Sequence, residues 1–136
     1  MVTSIAAAHA KARGGRSLAG ARVLLVEDNA IIALDMAGLL EEEGAHVIGP
    51  FAYRSKAMDD IARRLPDVAL LDIELADGVV FPLADALRDA GVPTVFHSGS
   101  ADRHLLGKSY PDAPLCRKPS SEQAIVDALT GVLSGP

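Results

Sequence analysis

The segment LLDIELADG, residues 70 to 78, carries two leucines directly into Asp72 and follows it with Glu74, Asp77 and Gly78. An apolar run that ends on a carboxylate demands compensation, because withdrawing that charge from water is expensive. A second apolar run, RVLLVED, ends on Glu27 and Asp28, while PTVFHS ends on Ser98 and PLCR stops one residue before Lys118. Three carboxylates brought together repel one another unless a cation lies among them, and a donor set made only of oxygens suits magnesium, which keeps several waters. Asp28 and Asp72 would be the direct oxygen donors, and Glu27 would hold a water or orient its neighbour. The metal would leave Asp72 ionised as a nucleophile and could neutralise oxygens of an incoming phosphoryl group. Lys118 adds a second positive charge, and the Ser98 hydroxyl can donate to a phosphoryl oxygen. Together these groups suit a phosphate carried on an aspartate.

That chemistry requires a scaffold that gathers the ends of four separate runs. RVLLVED is too compact for a helix, and Asn29 can cap the segment behind it, where Ile32, Met36, Leu39 and Leu40 return at helical spacing until Gly44. A strand is predicted at AHVIGP, a helix at 54 to 64, a strand at DVALLD and a helix at 79 to 90. Strands at PTVFHS and PLCR and a last helix at 121 to 133 follow. Five strands alternating with helices predict a parallel sheet covered on both faces. Right-handed crossovers place every C-terminal strand end on one edge, where open α/β sheets bind ligands. Glu27, Asp28, Asp72, Ser98 and Lys118 all belong to that edge.

Composition fits one domain: 136 residues, 49% hydrophobic and 23% charged. Lys11, Arg13 and Arg16 stand in the first twenty residues without an acid, so the remainder, with ten basic and eighteen acidic residues, has a net charge of -8. That balance disfavours nucleic-acid binding. Cys116 is the single cysteine and fits a reducing, cytoplasmic compartment. No apolar run reaches the roughly 18 residues of a membrane span, and the basic residues near the N-terminus follow a short alanine-rich stretch, the reverse of a secretory signal. Residues 1–20 are expected to be a flexible extension, residues 21–134 the folded domain. His97 has no second histidine or cysteine nearby and is assigned to local packing, Cys116 to the core, and Tyr110 to a loop. Gly107 and Pro111 leave little room for a regular helix in 101–113, so an irregular connection is predicted there.

The motif positions resemble the receiver domains of bacterial two-component response regulators, the CheY-like superfamily, over roughly residues 21 to 134. The acidic pair corresponds to Glu27 and Asp28, the phosphoacceptor to Asp72, the hydroxyl position to Ser98, and the lysine with its following proline to Lys118 and Pro119. The resemblance implies a flavodoxin-like, doubly wound five-stranded parallel sheet of order 2-1-3-4-5. It also implies phosphotransfer from a histidine kinase or histidine phosphotransfer protein, Mg2+ held partly by the backbone carbonyl of Glu74, and an expected cis bond before Pro119. By the same analogy, Glu74 and Ser100 flank the path of the water that would hydrolyse the acyl phosphate. Such a domain is a signalling phosphoacceptor that assists its own phosphorylation and dephosphorylation rather than an enzyme.

Several positions depart from the family pattern. Ala76 stands where a proline is frequent, Leu115 where a switch aromatic is common, and Ser120 where phenylalanine is frequent. The VLLVEDNAIIALDM, FHSG and LCRKP stretches look most like stand-alone receivers of alphaproteobacterial signalling, including those paired with HWE-type kinases. With no segment after TGVLSGP for an output domain, the expected response passes through an unknown downstream protein or a phosphorelay. Two other readings stay open. A receiver-like protein-binding module would use the fold without phosphate. A magnesium-dependent aspartyl-phosphate phosphatase would place two aspartates one residue apart after the first strand, and EDNA lacks the second. Oligomeric state has no signature in the sequence.

Overall fold

The computed structural model describes residues 18–99, 106 and 109–135. Five strands form one parallel sheet: β1 (Arg22–Val26), β2 (His46–Phe51), β3 (Val68–Leu71), β6 (Thr94–Ser98) and β7 (Leu115–Arg117). Their order is β2-β1-β3-β6-β7, which in chain order of these five is the flavodoxin-like 2-1-3-4-5. Two short strands, β4 (Glu74–Leu75) and β5 (Gly78–Val79), pair antiparallel as a separate hairpin. The helices are α1 (Ala30–Glu42), α2 (Arg54–Arg63), α3 (Phe81–Asp89) and α4 (Glu122–Leu133).

β1 is buried from Val23 to Val26 and β3 along its whole length, as the unbroken apolar runs VLLV and VALL require of a sheet covered on both sides. Alternation divides their side chains between two cores. Leu24, Val26, Ala69, Leu71 and Phe96 face α2 and α3, where they meet Ala57, Leu83 and Leu87. Val23, Leu25, Leu70 and Val95 face α1 and α4, where they meet Leu40, Ile125 and Leu129. Asn29 caps α1 through its side chain, which accepts from the amides of Ile31 and Ile32 at 3.0 and 3.1 Å. Ser121 caps α4 by accepting from Ala124 N at 3.1 Å.

Three details go beyond the sequence reading. Leu18 is fully buried in the α1–α4 core and its carbonyl accepts from Ala21 N, so packing begins before the boundary drawn at residue 20. Residues 79 and 80 precede the third helix instead of opening it, because Val79 pairs with Glu74 in the hairpin. Tyr110 lies outside regular structure as predicted, yet its side chain is buried, edge-on to Phe96 at 5.3 Å between ring centroids, and its hydroxyl donates to Asp85. The rest of the 101–113 segment, at 101–105 and 107–108, lies outside the described residues, as do 1–17 and Ser100.

Gly49 shapes the edge strand. Its φ of +106° is one that L side chains avoid, and a Cβ there would stand 2.7 Å from the Leu25 carbonyl oxygen and 2.8 Å from Phe51 N. Both obstacles are main chain at the β1–β2 register shift. Gly49→Ala is therefore expected to destabilise the protein by about 2 kcal/mol or more. A urea-unfolding midpoint equal to wild type would show that the strand yields without cost.

Candidate functional site

The acids stand immediately beyond the central strands, and the ladder continues through their backbones. Glu27 N donates to Phe51 O at 2.8 Å, Asp72 N to Val26 O at 2.9 Å, and Lys118 N to Ser98 O at 3.0 Å. Main-chain hydrogen bonds thus hold all three residues in sheet register even though their strands have ended. Glu27, Asp72 and Ser98 are buried, whereas Asp28, the next residue after Glu27, is exposed.

Lys118 ties the set together. Its Nζ donates to Glu27 Oε1 at 2.7 Å and to Asp72 Oδ2 at 3.1 Å. One ammonium therefore serves two buried carboxylates. Burial raises the Asp72 pKa above its ordinary range, the adjacent Glu27 carboxyl raises it further, and Lys118 offsets only part of this. Burial alone would lower the Lys118 pKa, but its bonds to Glu27 and Asp72 prevail and raise it. The other carboxylate oxygen of Glu27, Oε2, accepts from Asn29 N at 3.1 Å, which links the acidic pair to the start of α1.

Carboxylate oxygens of Glu27, Asp28 and Asp72 all lie within 4.8 Å of one another. An excess of negative charge, oxygen donors only, and one exposed acid on the solvent side meet the requirements of a hydrated divalent cation. An open cavity of about 280 Å³ adjoins them, lined by Asp28, Asp72, Glu74, Ser98, Gly99 and Lys118. The edge thus brings together Glu27, Asp28, Asp72, Glu74, Ser98 and Lys118. A larger cavity of about 520 Å³ opens near Pro93, Thr94 and Ala113, at the strand starts, and contains none of these groups.

Leu115, Cys116, His97 and Pro119 are not among the residues that line the cavity beside the acids. Leu115 pairs with Phe96 and packs against the α2–α3 core, a partly buried aliphatic side chain in place of an aromatic. The Lys118–Pro119 peptide bond is cis. Cys116 is partly buried against the α1–α4 core. His97 is buried with Nε2 lacking a hydrogen-bond partner, and its pKa is lowered, first by burial and then by Lys118.

One arrangement escaped the sequence. Asp77, which with Gly78 has the residue types of a cap or turn, accepts from the amides of Arg54 at 2.6 Å and Ser55 at 3.1 Å and so caps α2 from 23 positions away. Arg54 Nη1 returns a bond to Val79 O at 2.6 Å. The turn signal at Asp77–Gly78 was visible in the sequence; its target on α2 was not.

The sheet order and the acid–lysine edge together define a receiver-type α/β domain. Comparison with known proteins agrees. The phyllosphere-induced regulator PhyR of Methylorubrum extorquens is 34% identical over 111 residues, covering 77% of this chain and 42% of that protein. A crystallised response regulator receiver protein from Sinorhizobium medicae superposes with a TM-score of 0.78 at 25% identity, covering 88% of this chain and 98% of that one. A PhyR stress response regulator structure gives a TM-score of 0.74 at 32% identity, covering 93% and 49%. No family model matches the chain. The chain belongs to the CheY-like receiver domains of bacterial response regulators. It spans less than half the length of the curated PhyR protein it matches.

Proposed function

We propose that this receiver is a phosphoacceptor, taking a phosphoryl group onto Asp72 from a phosphohistidine of a histidine kinase or histidine phosphotransfer protein. The observation that carries this reading is the Asp72 carboxylate held 3.1 Å from the Lys118 ammonium, with Glu27 and Asp28 beside it and an open cavity in front. In the transfer, an Asp72 oxygen attacks phosphorus in line, the P–N bond breaks, and the partner imidazole leaves with the electron pair. Lys118 Nζ, already placed between Glu27 and Asp72, balances charge on the phosphoryl oxygens. The Ser98 hydroxyl, on the cavity wall, donates to one of them. Asp28, Asp72 and the Glu74 carbonyl would hold magnesium, with Glu27 acting through water, and the bound ion would supply further charge neutralisation there. Glu74 on the rim tunes the approach of hydrolytic water, and Ser100 joins it in this role by family analogy.

Leu115 repacks with Phe96 as Ser98 moves toward phosphate, so the altered shape is read by a downstream protein. Receiver relatives support that direction: the Bartonella quintana PhyR is described as an anti-anti-sigma factor, a protein that acts on other proteins. The site is cytoplasmic in this reading, since its donors are cytoplasmic kinase domains. No described helix is long and apolar enough to cross a membrane.

Intact-mass spectrometry after incubation with acetyl phosphate tests the proposal. The expected result is a magnesium-dependent, labile gain of about 80 Da, the mass of one phosphoryl group, absent from Asp72→Asn. Equal incorporation into Asp72→Asn would refute Asp72 as acceptor. No incorporation from acetyl phosphate or from histidine kinases would favour the protein-binding module.

A further inference from the structure

We infer that Asp77 and Arg54 are positioning residues for divalent-cation binding: their clamp on α2 holds the hairpin that carries Glu74 against the acidic cavity. This rests on the phosphoacceptor reading for the role of Glu74 and extends it to residues outside the site.

The argument begins at the end of β3. Between Asp72 and α3 the chain makes the hairpin β4–β5, two residue pairs long, with Glu74 opposite Val79 and Leu75 opposite Gly78. So short a hairpin is marginal alone and needs outside support. Two contacts inside the chain anchor its root and one face: Val80 N donates to Ile73 O at 2.9 Å, and Leu75 is buried in the α2–α3 core. The tip is held from α2. There the Asp77 carboxylate accepts both the Arg54 and Ser55 amides and Arg54 Nη1 donates to Val79 O, while just before the helix Ala52 O accepts from Ala76 N at 3.3 Å.

The clamp is reciprocal. Tyr53, the residue in the capping position of α2, supplies no side-chain cap, so α2 depends on Asp77 for its first amides. Gly78 completes the fit with a φ of +125° and no side chain, since a Cβ would lie 3.2 Å from Arg54 Nη1. Arg54 therefore crosses the hairpin at a residue whose backbone conformation favours glycine. Glu74 begins this hairpin and also lines the cavity with Asp28 and Asp72. A loop released from α2 would let that oxygen donor drift, and a cation that demands near-ideal octahedral geometry tolerates drift poorly. Residues that orient ligands from behind typically change metal affinity by about 10–100-fold when removed.

The test is Mg2+ titration calorimetry of the whole chain, with uptake from acetyl phosphate followed in parallel across Mg2+ concentrations. Asp77→Ala is expected to weaken Mg2+ about tenfold and raise the Mg2+ needed for half-maximal uptake equally, leaving the rate at saturating Mg2+ near wild type. Asp77→Asn, whose amide oxygen can still accept, is expected to recover most of the affinity. Arg54→Met, which removes only the Val79 bond, should weaken Mg2+ by a smaller factor and serves if Asp77→Ala does not fold. Ala57→Gly, which destabilises α2 from its buried middle, is expected to leave Mg2+ affinity unchanged. Affinity within twofold of wild type in both Asp77→Ala and Arg54→Met overturns the clamp, as does an equal loss in Ala57→Gly. Failure of the phosphoacceptor reading is seen separately, as wild-type protein that binds Mg2+ with Asp77 dependence yet gains no phosphoryl group.

Discussion

Lys118→Ala is expected to destabilise the protein by about 3 kcal/mol at neutral pH without magnesium, because removing one member of a buried ion pair leaves an uncompensated charge. Here the loss leaves two: Glu27 and Asp72 share the same ammonium at 2.7 and 3.1 Å, and both carboxylates are buried. The sign of the pH dependence follows from the raised Lys118 pKa. Its stabilisation is fully present below the ordinary lysine value of 10.5 and is lost as pH rises through the higher folded value. Magnesium should restore much of the variant's stability, since a cation among the carboxylates replaces the missing charge and binds only the folded chain. Urea unfolding with and without Mg2+ measures both effects. A loss below about 1 kcal/mol would mean that solvent screens this pair as it does surface pairs.

Asp72→Asn is expected to do the opposite to stability while abolishing phosphoryl uptake. Burial first, and then the neighbouring Glu27 carboxyl, raise the Asp72 pKa, and the one ammonium they share offsets only part of this. A folded pKa above the unfolded value means that the neutral form is favoured in the fold. The corresponding stability is present below the ordinary value of 3.8 and is lost as pH rises through the folded pKa. Asparagine keeps the neutral shape at every pH, so its advantage should appear only above that window, at the size of an ordinary single substitution, about 1 kcal/mol. That corresponds to a rise of about 4 °C in melting temperature for a domain of this size. Thermal melts at pH 7.5 and at pH 3.5 distinguish this from a general packing gain: the two proteins should differ at the first and agree at the second. Equal melting at pH 7.5 would show that Lys118 compensates both acids completely. The expected pairing, a more stable protein that accepts no phosphate, identifies the crowding of charge as functional strain.

Much of this site was legible before any coordinates. The runs RVLLV, VALL and TVFHS could only be covered strands, and the parallel alternation placed Glu27, Asp72, Ser98 and Lys118 on one edge. Asn29 was readable as a cap because the helical period starts directly behind it. Other features rest on contacts between residues far apart in the chain. Leu18 looked like part of a tail because a single leucine among serine, alanine and glycine has no period, and only the α1–α4 core reveals that it is buried. Tyr110 looked like a loop residue because its backbone is one, while Phe96 and Asp85, which bury its ring and bind its hydroxyl, lie 14 and 25 positions away.

Glu27 and Asp28 show the division most sharply. Their types and their place after β1 marked them as an acidic pair, but nothing in the order of letters states which one is buried with Lys118 and which faces water. Successive residues leaving a strand point to opposite sides, and the contact of Phe51 O with Glu27 N sets which side each takes. The same holds for Asp77, whose partners on α2 are 22 and 23 residues away. The amino-acid sequence by itself determined the chemical groups of this protein and the sheet edge they would reach, because period and chain order are local properties. Only the tertiary structure decided that one ammonium joins Glu27 to Asp72 and that the hairpin is tied to α2, because bonds of about 3 Å depend on strand register and packing across the sheet.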